Sequence, residues 1–250
     1  MGKLVLISGE YISNSSGMDA IVNATNEYMA YGSGICGAVY NAAGINELTN
    51  YIKENMPQHM APEEVRITPG FGLGDMDIIH VLAPKYYQEE KPINVLLQAY
   101  KNMLVWIERK EYKNVLMCSI GTGIHGYKHE DVAEPVISLL LRCCDMVDVN
   151  IYFNNINPTV KDIYLKPYLK YNFIDLKKDL VNLNESEILE YLSKNNLTEN
   201  NIKQKYKNFC SNRELDEMCL SEKIICLQYC LEIIKATKEQ LKPLLESIGD

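Results

Sequence analysis

The chain has 250 residues, 47% of them hydrophobic and 23% charged, with a formal net charge of −8 and a pI near 5.2. That is enough chain to bury a core unaided, and the balance excludes wholesale disorder, collagen-like and coiled-coil readings. The acidity argues against a general nucleic-acid clamp, which needs clustered Lys and Arg to neutralise phosphates, while a small anion held by backbone amides stays open.

In chain order, residues 3–8 (KLVLIS) and 20–23 (AIVN) read as strands, and residues 35–43 and 47–55 as helices. Residues 65–68 and 77–82 read as strands, 88–110 as a long helix, 114–118 as a strand, 130–145 as a helix and 149–153 as the last strand. Strand and helix in alternation, with several strands apolar on both faces, predicts an α/β fold: a mixed sheet covered by helices on both sides, a three-layer α/β/α sandwich. After about Pro158 the β signal stops, and Lys, Asn, Leu and Glu-rich sequence with helical spacing follows. Helices are expected there through Glu190 from a cap at residues 184–187, over 198–207 and over 215–236. The expected organisation is a domain at 1–165 and a helical C-terminal extension at 166–250.

Eight cysteines are too sparse for a disulfide framework, and no apolar stretch approaches the roughly 18 residues of a membrane span. No charged-then-apolar signal segment precedes Gly2, so a reduced, cytoplasmic protein without a membrane partner is expected. Cys210, Cys219, Cys226 and Cys230 contain no C-x-x-C pair and no tail histidine to complete a zinc set; Cys219, Cys226 and Cys230 share one helical face and read as packing. No metal or cofactor is expected.

Two loops carry the chemistry. Gly32-Ser33-Gly34-Ile35-Cys36-Gly37 fits G-x-G-x-x-G and runs into a helix; Gly121-Thr122-Gly123-Ile124-His125-Gly126 repeats the pattern after the strand at 114–118. Glycine suits such a loop because the chain must take positive φ and bring N–H groups close to a phosphate, where a Cβ would collide. A helix N-terminus behind the loop adds free N–H donors and a favourable dipole. Two such loops at one end of a sheet could grip both halves of a pyrophosphate. A dinucleotide-binding Rossmann fingerprint fits badly, because residues 24–31 separate the first loop from its strand. Neither loop ends in Gly-Lys-Ser or Gly-Lys-Thr, so a Walker-type NTPase is disfavoured too.

Asp19-Ala20-Ile21-Val22-Asn23-Ala24-Thr25-Asn26, the first glycine loop, then Ala38-Val39-Tyr40-Asn41-Ala42-Ala43-Gly44 resemble the opening of the macrodomain, the ADP-ribose-binding module. Residues 78–84 (IIHVLAP) and 119–127 (SIGTGIHGY) are similar to its two later motifs, in order. The resemblance covers roughly residues 1–165. It implies a crevice in which Glu10, beside Tyr11, stands for the Asp that accepts from the adenine amino group. Phe153, with Asn154 beside it, stands for the aromatic that stacks on adenine. Asn26 would orient the distal ribose and Asn23 would shape the same crevice. Backbone N–H groups of Gly32, Ser33, Gly34, Ile35 and Cys36, and of the stretch Ser119, Gly121, Thr122, Gly123, Ile124, His125 and Gly126, would hold the diphosphate.

Two departures bear on activity. The family's MacroD-type hydrolases carry an Asp where this chain has Cys36, and His125 replaces the bulky Phe or Tyr that often closes over the distal ribose. The loss of the Asp leaves hydrolysis open, since the ligand's own phosphate could activate water. The expected function is therefore ADP-ribose binding with hydrolysis of mono-ADP-ribosyl esters, with Asn26 and His125 as the catalytic candidates; a ribose contact or simple loop filler is the weightier alternative for His125. The alternative is a non-catalytic reader of ADP-ribosylated partners. Cys36 as a nucleophile is opposed by the anionic ligand beside it. His80, in an apolar strand, reads as a satisfied core histidine, and His59 and His129 carry no pattern. Tyr86 and Tyr87 read as crevice rim or sheet-edge cover, and Tyr164, Tyr168, Tyr171 and Phe173 as residues that dock the tail.

Overall fold

The computed structural model describes residues 2–168. The chain divides into two units, Met1–Tyr164 and Leu165–Asp250. The helices expected beyond residue 184, the tail cysteines, and Tyr171 and Phe173 lie outside the described residues.

Six strands form one sheet: β1 (Leu4–Ser8), β2 (Ala20–Ala24), β3 (Val65–Pro69), β4 (Asp77–Val81), β5 (Asn114–Cys118) and β6 (Asn150–Asn155). Their order is β1-β6-β5-β2-β4-β3, parallel throughout except for β3 against β4. The helices are α1 (Gly34–Ala43), α2 (Ile45–Asn55), α3 (Pro92–Arg109) and α4 (His129–Met146), and a further helix starts at Pro158. Strand alternation explains the layering. Ile21, Ile78 and Leu116 point to one face, where Val39 and Tyr40 of α1 and Leu48 and Ile52 of α2 pack on them. Their neighbours Val22, Ile79 and Met117 are buried on the opposite face, where α3 packs along β3 and β4 and α4 along β1 and β6. The expected three-layer α/β/α architecture is the observed one.

Most boundaries shift by a residue or two from the sequence expectation, and two of the shifts have a clear local reason. Helix α3 starts at Pro92 and not at residue 88, because proline suits the first helical position, where its missing N–H costs nothing; Tyr86–Gln88 form a separate 3₁₀ turn. Strand β6 runs to Asn155, since its register with β1 continues through Ser8↔Asn155.

The feature that matters for function is a split in the sheet. β5 pairs with β6 out to Cys118↔Asn154, and β2 pairs with β4 over its full length. β2 and β5 are paired only at Ala20↔Val115 and Ile21↔Leu116, then diverge. In the gap, the buried Tyr11 hydroxyl donates to the Val22 carbonyl at 2.6 Å and lies 3.2 Å from that of Leu116, so both strands meet a polar partner where their own ladder stops. The chain leaves β2 through α1 and leaves β5 through α4, on opposite faces. This is the switch point of an open α/β sheet, where a crevice forms outside the carboxyl ends of the strands.

Candidate functional site

A crevice of about 680 Å³ opens at this split. Its walls are the stretches that follow β1, β2, β5 and β6, together with the start of α1.

The first glycine loop delivers the start of α1. Ser33 occupies the N-cap position in extended conformation, but its side chain makes no capping bond. The Gly37 N–H reaches the Ser33 carbonyl at 3.4 Å, whereas the N–H groups of Gly34, Ile35 and Cys36 precede the first intrahelical bond. Gly34 takes φ +60°, a conformation that side chains resist. The result is a helix N-terminus whose free donors and dipole face the crevice. The second loop is folded by its own bonds: Gly126 N–H to the Gly123 carbonyl at 3.1 Å, Tyr127 N–H to that of Gly121 at 3.2 Å, and the Thr122 hydroxyl to that of Ser119 at 2.9 Å. At Gly123 a Cβ would meet nothing within 4 Å.

Of the residues named from the sequence, Glu10, Tyr11, Asn26, Asn154 and Ser119 line the crevice, as do all of Gly32 to Cys36 and Gly121 to His125. Phe153, Asn23 and Gly126 do not. Phe153 pairs in register with Leu6 and Met117, has no exposed surface, and packs its ring 4.8 Å from that of Tyr164. It belongs to the core, and Asn154 and Asn155 of β6, with Ile156 just past its end, line the crevice in its place. Asn23 is buried below the floor, with its amide 3.1 Å from His80 Nδ1 and 4.0 Å from Cys36 Sγ. Gly126 lies under the ring of Tyr87.

Several side chains within the crevice are already engaged. Glu10 is exposed at the rim and caps the following 3₁₀ turn, accepting from Ile12 N–H at 3.2 Å, from Ser13 N–H at 2.5 Å and from the Ser13 hydroxyl. The Ser13 hydroxyl and N–H hold its carboxyl below the usual range, so it is ionised, with lone-pair capacity left for one more donor. The Asn154 amide donates to the Gly9 carbonyl at 3.1 Å and accepts from Asn14 at 2.8 Å, stapling β6 to the end of β1. Asn26 Oδ1 accepts from the N–H groups of Tyr28 and Ala30, and its Nδ2 donates to the Ala30 carbonyl at 2.8 Å. Asn26 thus shapes the turn that carries the first loop, and one N–H proton remains free.

His125 Nδ1 lies 2.7 Å from the Ala83 carbonyl and 3.3 Å from that of Pro84. Carbonyl oxygens only accept, so Nδ1 carries a proton, and the tautomer this selects leaves the lone pair on Nε2. The thiols are protonated. Burial pushes Cys36 up, with Sγ donating to the Ala30 carbonyl at 3.5 Å, and burial pushes Cys118 up to about 12. The floor therefore sets no thiolate against an anion, which removes the basis for a Cys36 nucleophile.

Sequence reasoning missed Thr25, Ala83, His129, Asn155, Ile156 and Val160, all of which line the crevice. Thr25, Asn155 and Ile156 would follow from one rule, that the residues just past the carboxyl ends of parallel strands face the ligand. His129 and Val160 had no local signal, because their place depends on where the last helices return.

Comparison with known proteins agrees with this geometry. The Macro domain family model matches residues 22–136. A protein of Fusobacterium nucleatum is 33% identical over 141 residues, covering 56% of this chain and 78% of its own. The chain belongs to the macro domain family. An O-acetyl-ADP-ribose deacetylase of Salmonella typhimurium is 30% identical over 138 residues, 54% of this chain and 75% of its own. An Oceanobacillus iheyensis macrodomain solved with ADPR superposes with a TM-score of 0.60 at 26% identity, covering 67% of this chain and 93% of that one. A Trypanosoma brucei macrodomain shares the fold at a TM-score of 0.56 and 21% identity. The region matched by the family model takes in both glycine loops of this macrodomain and His125, but neither Glu10 nor β6.

Proposed function

We propose that this macrodomain binds ADP-ribose in the crevice and hydrolyses esters of it, taking O-acyl-ADP-ribose and mono-ADP-ribosyl esters on protein carboxylates. The observation that carries the reading is the split between β2 and β5, flanked by an uncapped helix N-terminus on one side and a glycine loop on the other. Converging N–H donors suit a diphosphate, and the imidazole of His125 stands in the same crevice, next to the second loop. The relatives named as deacetylases support a hydrolase at the level of reaction class.

In the proposed reaction a water attacks the acyl carbonyl carbon while His125 Nε2 takes its proton. The ribose oxygen then leaves with the bonding pair and receives that proton, giving the carboxylic acid and free ADP-ribose. The free Asn26 proton and the loop N–H groups position the distal ribose. A ligand phosphate is the competing base. Cys36, where MacroD-type hydrolases carry an Asp, favours the second reading, a reader that binds without turnover.

The test is to mix the protein with O-acetyl-ADP-ribose and with an auto-modified ADP-ribosyltransferase. Acetate release and loss of label support the hydrolase; binding with neither supports the reader. At about 100 times the dissociation constant, linkage predicts about 2.7 kcal/mol of stabilisation, a rise of roughly 5 to 10 °C in melting temperature. No shift with millimolar ADP-ribose refutes both.

A further inference from the structure

A shelf of tyrosines and carboxylates lies beside the crevice and outside it. Three stretches meet there: those that follow β2 and β4, and the one that leads into β3, which runs antiparallel and so begins at the same end of the sheet. Backbone bonds tie them together, from Met60 N–H to the Glu27 carbonyl at 2.7 Å and from Glu63 N–H to that of Leu82 at 2.8 Å. The second glycine loop joins them through His125, whose Nδ1 lies 2.7 Å from the Ala83 carbonyl and whose own carbonyl accepts from Tyr86 N–H at 2.9 Å. The shelf therefore adjoins the proposed catalytic base.

Its surface is aromatic. The ring of Tyr87 lies over Gly126 and is 87% exposed. It meets Tyr86 edge-on with centroids 5.3 Å apart, and Tyr86 meets Tyr127 in the same way at 5.3 Å. On the β2 side Tyr28 is 55% exposed, with its ring 4.8 Å from that of His59. None of these rings lines the crevice, so a ligand lying within it leaves them open to water. Clustered open aromatics of this kind mark a surface that a partner covers.

Carboxylates stand among the rings. Glu27 lies beside the Tyr28 hydroxyl and pushes its pKa up. Burial, then the charges of Glu89, Tyr86 and Glu63, push the Tyr127 hydroxyl up to about 12. Glu64 is taken by Arg66 at 2.7 Å, and the exposed Lys85 and Lys91 offset only part of the remaining charge of Glu27, Glu63, Glu89 and Glu90. Carboxylates beside a crevice for a diphosphate repel it, and salt only weakens that repulsion. The arrangement becomes favourable when the ligand brings cations of its own, because open tyrosine faces and carboxylates both bind ammonium and guanidinium groups. We propose that this shelf receives the polypeptide that carries the ADP-ribosyl ester, as a segment with Lys or Arg near the esterified residue, so that the protein prefers ADP-ribose on basic segments. This rests on the ADP-ribose reading of the crevice, with the ester at His125.

The experiment is calorimetric titration of the full chain with ADP-ribose and with two peptides that carry it on one glutamine, an amide in place of the labile ester. One peptide has Lys and Arg around the modified residue and the other has Ser at the same positions. Wild type should bind the basic peptide about 5- to 20-fold more tightly than the Ser peptide, as expected for one or two ion pairs and a cation–π contact. That preference should fall in about 0.5 M NaCl. Tyr87→Ala, and separately Glu63→Gln combined with Glu89→Gln, should each cut it by about 2- to 5-fold and leave the affinity for ADP-ribose itself within about twofold of wild type. A disturbed loop would weaken all three ligands alike and leave the ratio untouched. Equal or reversed affinity for the two peptides, or a preference that survives in both variants, overturns the proposal. Dimerisation in sedimentation that Tyr87→Ala abolishes would assign the face to a second copy and overturns it too. Failure of wild type to bind ADP-ribose overturns the reading of the crevice itself.

Discussion

Gly123→Glu separates a phosphate cradle from a tight turn. At this position a Cβ has open space, and φ is not in the left-handed region, so the substitution costs the fold little. The new carboxylate enters the crevice that Gly123 lines, where the diphosphate is proposed to sit. At ~5 Å, each pair of like charges costs about 0.8 kcal/mol in water and ~3 kcal/mol at an effective dielectric of ~20. Two phosphate charges therefore cost at least about 1.6 kcal/mol before any steric term, a loss of ~15-fold or more in affinity. Gly123→Ala adds a methyl and no charge, and should stay within about threefold by the same reasoning. Gly34→Glu should also abolish binding, but its φ of +60° adds backbone strain of about 1 kcal/mol, which makes it the less discriminating variant. The assay is calorimetric titration with ADP-ribose, beside thermal melts of each unliganded variant. A folded Gly123→Glu protein that binds ADP-ribose with wild-type affinity refutes the cradle.

Cys36→Ala should keep ester hydrolysis within about threefold, because burial keeps the thiol protonated and its bond to the Ala30 carbonyl is weak; loss of turnover with binding retained would show that the sulfur takes part. Cys36→Asp should raise the rate by restoring a base. His125→Gln, which can still donate to the Ala83 carbonyl but has no basic nitrogen, should lower kcat by about 100-fold with little change in KM; an unchanged kcat assigns proton removal to the ligand's phosphate. His80 is buried between Asn23 and Thr68, and burial, aided by the charge of Arg66, lowers it from 6.5 to about 3. The unfolded chain thus binds one more proton than the native one between these values, so stability is complete above pH 6.5 and falls as pH drops toward 3, by about 1.4 kcal/mol per pH unit. Urea unfolding at pH 7.5, 5.5 and 4.5 should show a slope reduced by one proton in His80→Gln, and identical slopes would refute the assignment.

What sequence alone determined about this protein was set by local rules. Alternation and apolar runs mark the strands, because a strand covered on both faces must be hydrophobic throughout. The glycines mark the loops, because Gly34 and Gly121 occupy φ values that other residues resist, and the order of the motifs identifies the family. Tertiary structure decided which side chains face the crevice. Phe153 has the right residue type near the right strand end, yet β6 runs on to Asn155 and its register places the ring in the core. The tautomer of His125 depends on carbonyls some forty residues away, at Ala83 and Pro84. Backbone conformation is governed by near neighbours and can be read along the chain; hydrogen-bond partners and burial are set by residues that only folding brings together.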